Sequence, residues 1–169
     1  HSLSNFFKKL KRVPEFIFSL IKSNNLPRER KYVYLQEFIP NASYDIKVVV
    51  IGSKLSFIGR HVRKGDFRAS GGADFFFDHS IVTKEVIDIG FLTSKNTLSD
   101  CIGLDIVVDS NGLPYVIEIS YGFSHSALLD AKGYFDKNYQ WHNKPLNAPV
   151  EVLINKINQL KTVGDDSKK

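Results

Sequence analysis

The sequence predicts an α+β fold, an antiparallel sheet built from hairpins with flanking helices. Three observations carry this. Runs rich in β-branched and aromatic residues lie at 45–52, 54–62, 101–109 and 113–120. Short turn signals, Gly52-Ser53 and Asn111-Gly112, separate them in pairs. Two other stretches read as helices: 84–99, opened by Thr83 as N-cap, and 148–161, which carries an apolar stripe.

In chain order, residues 4–24 read first as helix. Phe6, Phe7, Leu10, Val13, Ile17, Leu20 and Ile21 recur at spacings of three and four, with lysines between them. Pro14 kinks that stretch or opens a second helix. YVYLQEFI (32–39) reads as a strand stopped by Pro40. DIKVVVIG (45–52) and KLSFIGRHV (54–62) form a hairpin. RKGDFRASGGADFFFDHS (63–80) is charge-dense and interrupted by Gly65, Gly71 and Gly72, so it reads as a long loop. The second hairpin turns at Asn111-Gly112, residues 121–147 read as irregular, and Asn147 caps the terminal helix with Pro149 in its first turn. Val150, Leu153, Ile154, Ile157 and Leu160 make that helix's apolar stripe, and the tail beyond reads as frayed. The organisation expected is a basic helical connector (1–30), a sheet domain (31–147) and a terminal helix with its tail (148–169).

The 169 residues, 43% hydrophobic and 24% charged, can bury a real core without disulfides. A single cysteine, Cys101, allows no intrachain disulfide and favours a reducing, cytoplasmic setting. No apolar run approaches the ~20 residues of a membrane span. There is no Met and the chain opens at His1, which predicts that the native N-terminus lies upstream. Residues 1–31 hold eight Lys/Arg against two Glu, a net of +6, while the remainder holds 15 basic and 16 acidic residues. A near-neutral body with one basic end argues against a nucleic-acid partner, which would require a basic face or groove. The Phe-rich basic segment 6–31 keeps an anionic-polymer reading open, though its aromatics follow a helix's core stripe.

The second hairpin carries the most informative pair. With Asn111-Gly112 as turn centre, 110 faces 113 and, by the same count, Asp105 faces Glu118. Opposed Cβ atoms lie about 4.5–5.5 Å apart, and like charges so placed destabilise a sheet unless a cation joins them. Ser120 shares the face of Glu118. Two carboxylates and a hydroxyl make a hard oxygen site of the kind Mg²⁺ takes. The alternative is an ordinary sheet with one solvated face. A second group, Arg60, His61, Arg63, Lys64 and Arg68 in and beside the Gly-rich loop, suits phosphate oxygens, or is simply a solvated charged loop. Asp45 stands at a strand start, able to hold a ribose hydroxyl, to pair with Lys47, or to face solvent. The histidines lack zinc spacing, Cys101 reads as a small packing residue, and no P-loop, nucleophile-elbow or dinucleotide motif occurs.

The ordered set YLQEFIP, YDIKVVVIG, GRHVRKGDFRASGG and GLDIVVDSNGLPYVIEIS resembles the C-terminal half of an ATP-grasp ligase, particularly the glutamate-ligase (RimK-like) branch, over about residues 30–122. GYFDKNYQWH (133–142) further resembles ATP-grasp proteins associated with surface-polysaccharide genes. The resemblance implies an adenine hinge at Gln36, Glu37, Phe38 and Ile39, with Asp45 by the ribose. It implies that Arg60 and Arg68, with Ala69 and Ser70, approach the triphosphate and the acyl-phosphate intermediate. Asp105, Glu118 and Ser120 would hold Mg²⁺. Substrates would be ATP with a small-molecule or glycan-linked carboxylate and amine. Two departures stand out: Ser120 where the family usually has Asn, and Lys47 where it usually has Arg. The earlier ATP-grasp subdomain, with its glycine-rich loop and lysine, has no counterpart before residue 30 and is expected upstream.

Overall fold

The computed structural model describes residues 33–40, 42–62 and 74–166, together with Pro14 and Phe18, both helical. The chain divides into two units, His1–Glu37 and Phe38–Lys169. The rest of the helix expected at 4–24 and loop residues 63–73 lie outside the described residues. In the first unit, residues 33–37 form no regular structure, and the irregular path continues through Ile39. Over its described residues, 33–39, the strand expected at 32–39 is therefore not formed. Val33, Tyr34, Leu35 and Phe38 are exposed. β-Propensity largely reflects packing on a neighbouring strand, and without a ladder it does not make one.

The second unit is α+β. Its described residues hold seven strands and three helices. The strands are β1 (Tyr44–Ile51), β2 (Lys54–His61), β3 (Phe75–Phe76), β4 (Cys101–Val108), β5 (Pro114–Ser120), β6 (Tyr134–Phe135) and β7 (Trp141–His142). The helices are α1 (Lys84–Asn96), α2 (His125–Leu129) and α3 (Ala148–Asp166). Every strand pair is antiparallel, in the order β5-β4-β1-β2-β6-β7, with β3 also on β2.

The first hairpin folds as its sequence dictates. Ile51 pairs with Lys54 across a two-residue turn. Gly52 takes φ +59°, which its missing side chain permits. Alternation then sends Ile46, Val48 and Val50 to one face, with Leu55, Phe57, Ile102, Leu104 and Ile106 beside them. This face is covered by α1 through Val86 and Ile87. Each such buried side chain contributes about 1.5–3 kcal/mol. Thr83 caps α1 by accepting from the Val86 amide at 3.5 Å. Gly90 allows the close approach, since a Cβ there would stand 2.6 Å from Leu55 Cδ1.

The long segments read as irregular contain short elements. Residues 74–80 hold β3 and the start of a 3-10 turn at His79–Ile81. Residues 121–147 hold α2, β6 and β7. Phe135 pairs with Leu55 and so extends the sheet, and Trp141 packs on Phe57, Phe135 and His79. Two-residue strands are too short to show alternation, so pattern reading passes over them. Asn147 caps α3 as expected, accepting from the Val150 amide at 3.4 Å. The stripe of α3 is not core, however: Val150, Leu153, Ile154, Ile157 and Leu160 are exposed. Its first turn anchors it instead, through buried Ala148 and an ion pair of 2.6 Å between Lys54 and Glu151.

The second hairpin differs from its expected form in two places that offset each other. Asp109 donates its N–H to the Leu113 carbonyl, so the loop is Ser110-Asn111-Gly112, three residues rather than two. Gly112 has φ +82°, and Asp109 Oδ1 accepts from the amides of Asn111 and Leu113. Near the turn, Val108 therefore pairs with Pro114 and Ile106 with Val116. A bulge then skips Ile117 and restores the pairing of Asp105 with Glu118.

Candidate functional site

The face opposite α1 is divided along the strands. At the Ile51 end it is apolar: Val49, Ile51 and Ile58 pack with Ala127 and Leu128 of α2 and with Leu146 and Ala148. At the Asp45 end it is polar. Alternation places Asp45 and Lys47 from β1, Arg60 from β2, Asp105 from β4, and Glu118 and Ser120 from β5 on this same face. Four adjacent strands thus bring together five of the sequence-predicted site residues, Asp45, Arg60, Asp105, Glu118 and Ser120, and add a sixth residue, Lys47.

Register fixes the neighbours. Asp45 pairs with Arg60, Lys47 with Asp105, Asp105 with Glu118, and Gly103 with Ser120. Arg60 grips Asp45 as a fork: Nε donates to Oδ1 at 2.5 Å and Nη2 to Oδ2 at 2.8 Å. The same Nη2 lies 3.1 Å from Asp105 Oδ1. Lys47 Nζ is 2.8 Å from that oxygen and donates to Ser120 Oγ at 3.4 Å. Asp45, Lys47 and Asp105 are all buried. Asp105 Oδ1 nevertheless has no aligned hydrogen bond; its two cations are near it but not aimed at it. Glu118 is exposed.

Burial pushes the Asp45 carboxyl above its ordinary value, assisted by the Asp105 charge, while Arg60 pulls it back. For Arg60, burial opposes the charge, but the Asp45 hydrogen bond and both carboxylates outweigh it and raise the pKa. Three carboxylates face two cations, leaving one excess negative charge whose most accessible carrier is Glu118.

The arrangement meets the requirements of a divalent cation in two respects. Asp105 offers a buried oxygen without an aligned hydrogen bond, and Glu118 stands directly across the ladder with Ser120 on the same face. Hard oxygen donors of this kind suit Mg²⁺. Among the described residues no group of three or more His, Cys, Asp or Glu surrounds one point, so such an ion would depend on water or phosphate for the rest of its shell.

The remaining predicted residues lie elsewhere. Arg68, Ala69 and Ser70 are outside the described residues, as are Arg63 and Lys64. Gln36 and Glu37 end the first unit, exposed; Phe38, exposed, and Ile39, half-buried, begin the second. His61 stacks on Phe76, with ring centroids 4.4 Å apart. The residue whose place pattern reading missed is Lys47. Its two-residue spacing from Asp45 shows a shared face. Its partner Asp105 follows only once β4 is known to lie beside β1, and no local pattern states that.

No protein-family model matches the chain, and no curated protein matches it.

Proposed function

We propose that this chain is the C-terminal part of an ATP-dependent carboxylate–amine ligase. The observation that supports it best is the pair of opposed carboxylates, Asp105 and Glu118, on the same sheet face as the Asp45–Arg60 fork. This is the set, in this chain order, that the ATP-grasp resemblance implies. In that reaction a substrate carboxylate oxygen attacks the γ-phosphorus of ATP, and ADP leaves with the bridging oxygen's electron pair. An amine then attacks the acyl phosphate, forming the amide and releasing phosphate and a proton.

The roles are those the resemblance implies. Asp105, Glu118 and Ser120 would hold Mg²⁺, which supplies charge neutralisation to phosphate oxygens. Arg60 stabilises negative charge developing at the phosphoryl group, with Asp45 fixing its guanidinium in one orientation. The resemblance gives Arg68, with Ala69 and Ser70, the same role, and gives residues 36–39 adenine binding. Asp45 has both oxygens engaged by Arg60, so contact with a ribose would require it to share that fork. The acceptors fall in the class of small-molecule or glycan-linked carboxylates and amines. The setting is cytoplasmic, where ATP is available; no helix among the described residues is long and apolar enough to cross a membrane.

The test is ADP release from Mg·ATP by the intact protein across panels of carboxylates and amines. Asp105→Asn, checked for folding by circular dichroism, abolishes it on this reading; unchanged turnover in that variant overturns the assignment. A second reading, a nucleotide- or anion-binding module without turnover, draws on the internal pairing of Arg60 with Asp45 and of Lys47 with Asp105. It predicts ATP binding with no ADP release from any substrate pair.

A further inference from the structure

The side chain of Lys47 crosses from β1 over β4 to β5. Its own register partner is Asp105, while Ser120 stands opposite Gly103, the next residue of β4 on that face. Gly103 keeps the path open: a Cβ there would lie 3.5 Å from Lys47 Cε and 3.3 Å from the Ser120 carbonyl oxygen. The ammonium ends 2.8 Å from Asp105 Oδ1 and 3.4 Å from Ser120 Oγ. It therefore contacts two of the three residues assigned above to a divalent ion, and it is buried there.

We propose that Lys47 is a resident cation of the carboxylate site, and that a divalent ion gains Asp105 only by displacing its ammonium. The proposal rests on the metal role given to Asp105 and Glu118 under the proposed function, and adds to it a built-in competitor. Asp105 Oδ1 already has the Lys47 ammonium at 2.8 Å and the Arg60 guanidinium at 3.1 Å, and a divalent ion brought to the same buried oxygen as a third cation would meet strong repulsion from both. The buried lysine stem is long and flexible, whereas Arg60 is held by a two-bond fork to Asp45, so Lys47 is the group that yields. The consequence is a site that takes a free metal ion weakly. It takes the ion well when an anion arrives with it, because the displaced ammonium then has a negative partner.

The probe is Mn²⁺ alone, titrated into the full chain and followed by electron paramagnetic resonance of the free ion, with no nucleotide present. Lys47→Met is expected to bind Mn²⁺ at least tenfold more tightly than the native chain, and Lys47→Arg, which keeps the charge, no more tightly than native. Glu118→Gln added to Lys47→Met should remove the gain. Circular dichroism checks each variant's folding, and Lys47→Gln, which keeps a polar end, replaces Lys47→Met should the latter not fold. Equal or weaker Mn²⁺ binding by the folded neutral variants, with Glu118→Gln still weakening it, overturns the competitor role while leaving the metal site standing. Mn²⁺ binding insensitive to both Asp105→Asn and Glu118→Gln overturns the metal site and the competitor together.

Discussion

Asp45 and Arg60 face each other across the β1–β2 ladder and are joined by two hydrogen bonds, from Nε at 2.5 Å and Nη2 at 2.8 Å. Both side chains are largely buried, so neither charge is compensated by water when its partner is removed. Breaking a buried pair from one side typically costs about 3–5 kcal/mol. Asp45→Asn and Arg60→Met are each expected to lose stability on that scale in urea unfolding. The double variant should lose clearly less than the two combined, because no charge is then left alone.

The same pair sets a pH response. Burial already holds the Asp45 carboxyl above its ordinary value even with Arg60 present. An acid whose folded pKa is raised binds its proton more tightly folded than unfolded. Stability then falls as pH rises from about the unfolded value, near 3.8, through the folded one. Removing Arg60 takes away the main opposing influence and extends that fall upward. Arg60→Met should therefore lose stability more steeply than the native chain as pH rises above about 3.8. An Arg60→Met chain whose melting temperature fell no more steeply with rising pH than that of the native chain would contradict this assignment of the pair.

Asp136 behaves in the opposite sense. His142 Nε2 lies 2.8 Å from Asp136 Oδ2, and the amides of Gln140 and Asn138 bond to Oδ1. The His142 contact first, then those amides, hold the carboxyl below its ordinary 3.8. For a depressed acid, the stabilisation is present above the unfolded value and is lost as pH falls through the folded one. A carboxyl-detected NMR titration should place the Asp136 midpoint below 3.8, and His142→Ala should move it upward. An unchanged midpoint in His142→Ala would leave the amides as its cause.

Gly90 separates helix propensity from packing. In a helix interior, Gly→Ala usually gains about 1 kcal/mol. Here the added methyl meets Leu55 Cδ1 at 2.6 Å and Val50 Cγ2 at 3.3 Å, both in the buried core. Overpacking of this kind costs about 1–3 kcal/mol. Gly90→Ala should therefore lower the melting temperature, while Leu55→Val with Gly90→Ala recovers part of the loss.

What the chain declares locally, it declares well. Thr83 caps α1, Asn147 caps α3, and Gly52 turns the first hairpin, because each choice depends on a few adjacent backbone groups. The sheet order is another matter. That β4 lies on β1 depends on packing far along the chain, and with it go the Lys47–Asp105 contact and most of the site's electrostatics. Exposure of the α3 stripe was equally hidden, since amphipathic spacing shows which side of a helix is apolar but not what covers it. The 33–39 segment shows the converse error, β-prone residues without a ladder.

The Asp105–Glu118 pairing equals that of a plain two-residue Asn-Gly hairpin because two offsets cancel. The loop has one residue more than an Asn-Gly turn, and the bulge at Ile117 takes up one residue on the same strand. A one-residue slip in an unbulged strand would send Glu118 to the α1 face. Deleting Ile117 makes no such slip. Val116 already pairs with Ile106, so the next residue along, Glu118, falls opposite Asp105 in a regular ladder. The deletion variant should keep cross-strand backbone NOEs between Asp105 and Glu118, with reduced local twist. Deleting Ile119 instead keeps Glu118 opposite Asp105 but turns Ser120 to the other face, and so should abolish the Lys47 contact to its hydroxyl. Loss of the Asp105–Glu118 NOEs on deleting Ile117 would mean that the bulge itself, rather than alternation from Val116, holds the two carboxylates together.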